Sequence, residues 1–192
     1  MAQVQLNSPA TGERGAPSAQ EALLSVRNLS IAFNDGSDWF SVLTDVSFAV
    51  MPGETLGVVG ESGCGKSITA LSILGLLPRR GCRRTGQILF EGRDLVQFGE
   101  ADMRRVRGRR IGMIFQEPMS ALDPVFTVGH QIAETVRAHF PVSASEARER
   151  AVEALAAVGI PSPRNCVTMY PMSLSGGIMP ASDSRVALTM IM

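Results

Sequence analysis

The stretch "GESGCGKS", Gly60–Ser67, decides how the rest of the chain is read. It fits the pattern G-x-x-x-x-G-K-[ST] without a mismatch. Its glycines let the backbone turn until successive N–H groups aim at one anion. Lys66 adds a cation that reaches β- and γ-phosphates, and Ser67 a hydroxyl for Mg2+. Before the loop, "TLGVVG" has the apolar run of a buried central strand. After it, Ile68, Leu71, Leu74 and Leu77 recur at helical spacing until Pro78 stops them. A strand entering and a helix leaving are what such a cradle requires, because the helix turns its free N-terminal amides toward the same anion. Cys64, inside the loop, is read as a small inert residue rather than a reactive thiol.

Composition narrows the setting. At 192 residues and 45% hydrophobic the chain can bury a core for one domain, or a domain with a subdomain. Lys+Arg and Asp+Glu are equal at 18 each, which argues against a nucleic-acid binder and makes the run "RRVRGRR" a solvated face. Cys64, Cys82 and Cys166 form no C-x-x-C, so neither a disulfide framework nor a zinc site is expected. "MAQVQLNSPATGERGAPSAQ" has no apolar h-region and reads as a disordered tail. No stretch approaches the roughly 18 apolar residues that span a bilayer, so any work at a membrane goes through a partner.

Strands dominate the first half of the pattern and helices the second. Leu23–Phe33 reads as a strand broken near Asn28, Trp39–Val50 as one or two strands, and Gly86–Leu95 as a strand, a glycine turn and a further short element. "ADMRRVRGRR" is a basic helical segment ending at Gly108, and Ile111–Gln116 a strand. Thr127–Phe140 reads as a helix. A second helix follows a capping box at Ser143 and Glu146 and ends at Gly159. His130 and His139 fall on the helix surface.

"LSGG" at Leu174–Gly177 is weak alone. With the phosphate loop upstream, Gln116 closing a strand and helices between them, it makes the chain resemble the nucleotide-binding subunits of ABC transporters. "GVVGESGCGKS", "RGRRIGMIFQEPMSALDPVFTVGHQIAE" and "VGIP" are similar to the ATPase subunits of dipeptide and oligopeptide importers, a group that includes nickel importers. The resemblance covers Leu23 to Gly177. It implies an α/β fold, a P-loop NTPase core of ABC type with an N-terminal β-subdomain and a helical subdomain. The divisions would be a tail over 1–21, the core and β-subdomain over 22–116, the helical subdomain with its signature over 117–177, and a departing tail over 178–192.

The resemblance also implies roles. Gly60, Glu61, Ser62, Gly63, Cys64, Gly65, Lys66 and Ser67 would be the Walker A loop. Phe33 would stack on adenine, its other reading being a core residue. Gln116 would meet Mg2+ and the attacking water and sense the membrane subunit. Ser175, Gly176 and Gly177 would hold the γ-phosphate bound by the opposite subunit. ATP and Mg2+ are the implied ligands. Transmembrane permease subunits and a second ATPase subunit, in a head-to-tail dimer, are the implied partners. The implied location is peripheral, on the cytoplasmic face of the inner membrane.

One departure stands out. After the signature the family continues with a helix and an apolar strand ending in Asp and Glu, the second magnesium ligand and the general base. Here "IMPASDSRVALTMIM" follows. The expectation is a chain lacking the C-terminal half of the core, with weak nucleotide binding and essentially no ATP turnover. The alternative is a non-catalytic remnant that at most binds nucleotide or a partner. A soluble repair-type ATPase shares both motifs, but "FQEPMSALDP" and a helical stretch of ordinary length set it aside. A frame slip near Met179 would account for the departure, since suitable codons for Pro180–Arg185, read one base later, encode Gln-Arg-Val-Ile-Ala. In that frame Met190-Ile191 would place a TGA stop. Sequencing the DNA from the codon of Tyr170 onward checks this. An apolar strand ending in Asp-Glu in another frame is the expected result, and its absence from every frame rejects the slip.

Overall fold

A computed structural model of the chain describes residues 5–7, 22–115 and 122–174. Contacts divide the chain into two compact units, 1–103 and 104–192.

In the first unit, β2 (Leu24–Asn34), β3 (Trp39–Val50), β5 (Cys82–Phe90) and β6 (Arg93–Asp94) form an antiparallel sheet in the order β3-β2-β5-β6. Val26, Leu29, Ile31, Leu43, Ile88, Phe90 and Leu95 are its buried apolar residues. The expected break in β2 is present at Asn28, which takes a positive φ of 49°. Neighbouring strands accommodate it. The Asn28 N–H donates to Ser47 Oγ at 2.8 Å and its Nδ2 to Asp45 Oδ1 at 2.6 Å. On the other side Gly86 (φ 93°) comes so close that an added Cβ would lie 2.5 Å from the carbonyl oxygens of Arg27 and Asn28. Only glycine tolerates that approach.

The β2–β3 ladder shifts register three times, the last beside Ile31. Ile31 pairs with Leu43, but Ala32 pairs with Ser41, so β3 carries one extra residue at Val42. That is a bulge, and it re-aims the side chains beyond it. Trp39–Val50 is thus one strand rather than two. Asp35 holds the preceding turn, accepting from the amides of Ser37 and Asp38, both at 2.9 Å. Those bonds lower its carboxyl to a pKa of about 2.

β4 (Gly57–Val59) pairs antiparallel with β1 (Gln5–Asn7), so part of the stretch read as a tail is a strand. The sequence predicts a buried central strand here. Instead Val59 is 55% exposed, because among the described residues β4 has a partner on one edge only. Helix α1 (Lys66–Ile73) stops before Pro78. Gly75, at φ 61°, reverses the chain, with Gly75 N–H bonded to the Ser72 carbonyl and Leu76 N–H to that of Leu71. This is a Schellman ending, which satisfies the last carbonyls without proline. The buried residues of α1 are Thr69 and Ser72, while Ile68 and Leu71 of the expected apolar stripe are half-buried. Their hydroxyls bond back to the carbonyls of Gly65 and Ile68, which removes the cost of burying them.

Helix α2 (Glu100–Val106) spans the boundary between the units. Of the strand expected over 111–116, only Ile111 forms a bridge, to Arg107, and residues 112–115 have no ladder partner among the described residues. In the second unit α3 (Val128–His139) packs on α4 (Ala144–Ala157), and short helices α5 (Pro163–Cys166) and α6 (Pro171–Leu174) follow. The core joins Leu122, Val128, Ile132, Ala151, Leu155, Ile160 and Cys166. Ser143 caps α4 through the Glu146 amide, and Gly159 (φ 77°) ends it, as the sequence predicts.

The start of α3 is fixed by backbone contact. Val128 N–H bonds to the Met169 carbonyl and Gly129 N–H to that of Val167 at 3.0 Å. A Cβ at Gly129 would lie 2.6 Å from both Val167 Cβ and its oxygen. Alanine in a helix ordinarily gains about 0.5–1 kcal/mol over glycine. Here overlap costs about 1–3 kcal/mol and wins. Gly129→Ala is therefore expected to lower the thermal midpoint. An unchanged or raised midpoint would contradict this packing.

Candidate functional site

The loop Gly60–Ser67 leaves β4 and enters α1 in the shape that anion binding needs. Gly63 and Gly65 take φ values of 82° and 96°, open to glycine at little cost. Gly65 is the N-cap of α1, which therefore has no side-chain cap hydrogen bond. No acidic residue stands in the first turn, so the amides and the positive end of the helix face no built-in anion. Lys66 folds back over the loop. Its Nζ donates to the carbonyls of Gly60 at 2.7 Å and Glu61 at 2.8 Å, and to Cys64 Sγ at 3.3 Å. The ammonium is thus held against the loop's own carbonyls.

The loop is pressed from two sides. A Cβ at Gly60 would sit 2.6 Å from Cys64 Sγ. At Gly65 it would overlap Cδ2 of Leu43, with the Val42 carbonyl oxygen 3.5 Å away. Cys64 is buried and its thiol packs under the loop. Glu61, Ser62, Gly63 and Ser67 are exposed. The residues fit a nucleotide's phosphates: glycines at positive φ, a helix start without a side-chain cap and the Lys66 ammonium lie in one loop, with no carboxylate among the partners of Lys66. Ser67 would offer its hydroxyl to Mg2+. Among the described residues no cluster of three His, Cys, Asp or Glu could hold a metal ion, so a metal here would depend on the phosphates as well.

Phe33 lies half-buried on β2, opposite Phe40 on β3, with ring centroids 6.2 Å apart. Gln116 and Ser175, Gly176 and Gly177 lie outside the described residues. The chain leading away from Gln116 is tied down by Gln131, which sequence reading passed over. Its Nε2 donates to the carbonyls of Asp123 and Phe126, and its Oε1 accepts from the Asp123 amide at 3.0 Å. A lone glutamine on a helix carries no sequence signal for such a clamp. His130 is exposed and stacks on Phe126, while His139 packs half-buried against Gly108. Both sit on α3, as expected. Cys82 and Cys166 have thiols raised by burial, which keeps them protonated and unreactive. A cleft of about 660 Å³ in the helical unit is lined by Arg137, Arg148, Arg164, Glu134 and Glu149. Arg164 and Glu149 pair there at 2.9 Å.

Gly65→Ala is expected to destabilise the first unit by about 1–3 kcal/mol, from the positive φ and the overlap with Leu43. Leu43→Ala alone removes buried apolar volume and costs about 2–5 kcal/mol. Together the two should cost less than their sum, since the shortened side chain relieves the overlap. Denaturant melts of the four proteins check this, and strict additivity would contradict it.

With this geometry in place, comparisons with known proteins are informative. Residues 43–191 match the family model described as ABC transporter. A probable peptide ABC transporter ATP-binding protein of Sinorhizobium fredii is 48% identical over 88% of this chain and 50% of its own length. An oligopeptide transport ATP-binding protein of Bacillus subtilis is 46% identical over 81% of this chain and 44% of its own. The chain spans about half the length of the curated relatives it matches. In fold, it superposes with a TM-score of 0.67 at 19% identity on a dimeric ATP-binding cassette bound to ADP and Pi, covering 88% of this chain and 68% of that one.

Proposed function

Because this chain belongs to the ABC transporter family, we propose that it is the ATP-binding part of an importer subunit for dipeptides or oligopeptides. The carrying observation is the Lys66 ammonium, held 2.7 and 2.8 Å from the Gly60 and Glu61 carbonyls of a loop that turns on glycines at positive φ. Relatives named for peptide and oligopeptide transport support the solute class.

Each residue then has a task. The amides of Gly63, Gly65 and Lys66 bind phosphate oxygens, and Lys66 neutralises charge as it builds on the β- and γ-phosphates. Ser67 would hold Mg2+, with Gln116 as a second ligand and a positioner of the attacking water; the chemistry supplied there would be neutralisation of phosphate charge. Ser175, Gly176 and Gly177 belong to a second nucleotide, bound by another ATPase subunit in a head-to-tail dimer. Permease subunits in the inner membrane would take up the resulting motion on its cytoplasmic face. No helix among the described residues is long and apolar enough to cross a membrane, which fits a peripheral role.

The test is equilibrium binding of Mg-ATP to the full chain and to Lys66→Ala. Losing two charge-assisted hydrogen bonds, at about 1.5 kcal/mol each, predicts a loss on the order of a hundredfold. Equal binding by both proteins would refute the phosphate role of the loop.

A further inference from the structure

The cleft in the helical unit takes no part in the phosphate chemistry, yet three helices build it. Helix α3 supplies Ala133 and Arg137, α4 supplies Arg148, Glu149 and Val152, and α5 supplies Arg164. Residues four apart share a helix face. Ala133 with Arg137 therefore makes one stripe, and Val152 with Arg148 another, on two helices that pack together. Each stripe joins an apolar side chain to a guanidinium. Ala133 is buried and Val152 half-buried, while Arg137 and Arg148 are exposed. The cleft thus has an apolar floor and a cationic rim. Its volume of about 660 Å³ is that of a site for a small organic molecule.

The charges of the lining do not cancel. Arg164 donates to both carboxylate oxygens of Glu149, at 3.3 and 2.9 Å, so those two groups satisfy each other. Arg137 and Arg148 have no ion-pair partner among the described residues. Glu134 is the one other carboxylate in the lining. Two guanidinium forks, one on each of two packed helices, are therefore left open above apolar side chains. Such a fork binds a carboxylate through two parallel N–H···O bonds.

We propose that this cleft binds a small organic dicarboxylate. One carboxylate lies on Arg137 and the other on Arg148, and the hydrocarbon between them covers Ala133 and Val152. A compact inorganic anion would meet the charges and leave the floor in water. Glu149 is the built-in competitor. It occupies the third guanidinium, Arg164, and its own charge opposes an incoming anion. The site makes no use of the phosphate loop, and its ligand carries no phosphate.

The experiment is an NMR titration of the isotope-labelled full chain with glutarate. Neutral glutaramide and inorganic sulfate serve as comparisons. Ionic strength is held constant, because salt screens exposed charges. The variants are Arg137→Gln, Arg148→Gln and Glu149→Gln, all at exposed positions. Glutarate should shift amide resonances of α3, α4 and α5 saturably, sulfate more weakly, and glutaramide not at all. Loss of one fork should weaken glutarate about tenfold in each arginine variant. Glu149→Gln should bind glutarate more tightly than the wild type, since it frees Arg164 and removes a negative charge. That opposite sign separates a carboxylate site from general damage to the surface. No saturable shift with glutarate, equal shifts with glutaramide, unchanged affinity in both arginine variants, or weaker binding in Glu149→Gln would overturn the site. Sulfate binding as tightly as glutarate would overturn the dicarboxylate assignment.

Discussion

Gly65 has no space for a side chain. Its Cβ position is taken by Leu43, its φ lies at 96°, and it opens α1 as the N-cap. This one contact makes strand β3 the wall against which the phosphate loop is moulded. The loop's amides gain a fixed direction because their backbone rests on a buried leucine rather than on solvent. Leu43 in turn is placed by its rung with Ile31, and that rung by the bulge at Val42. The bend at Asn28, matched by Asp45 and Gly86, bears on the same strands. Irregularities that weaken an antiparallel ladder are here what lets a sheet face carry a loop, a helix and an aromatic pair in succession.

The helical unit follows a similar logic with different parts. Its α3 begins where two carbonyls of the 167–169 segment accept its first amides, and Gly129 permits the approach. Gln131, one turn on, clamps the residues that follow Gln116. Residues 123–126 and 167–169 are therefore both tied to one helix, α3, near its start.

Much of this was legible in the sequence where the demand is local. The Gly60–Ser67 pattern specifies its own backbone, since left-handed φ values and converging amides need glycine at fixed places. Ser143 and Gly159 marked the ends of α4 for the same reason. What was not legible depends on pairing. The spacing of Phe40 and Leu43 suggests opposite faces, and only the register across β2 shows otherwise. Gln131 looks like any exposed helix glutamine until the loop it holds is seen. Pro78 looked like the stop for α1, yet Gly75 ends the helix one turn earlier. The apolar run at β4 predicted burial, but burial depends on neighbours, and the described neighbour is the single strand β1. Ile111–Phe115 is apolar enough for a strand, yet a strand also needs a partner, and beyond the single bridge at Ile111 none is described.

The central claim is that the backbone of Gly60–Ser67, shaped by Gly65 against Leu43, grips the terminal phosphates of a nucleotide. Phosphorus NMR of ATP titrated with the chain tests it most directly. The account predicts that the β- and γ-phosphate resonances shift or broaden more than the α resonance, and that Gly65→Val abolishes the effect. A spectrum that the chain leaves unchanged, or that Gly65→Val perturbs to the same extent, would contradict it.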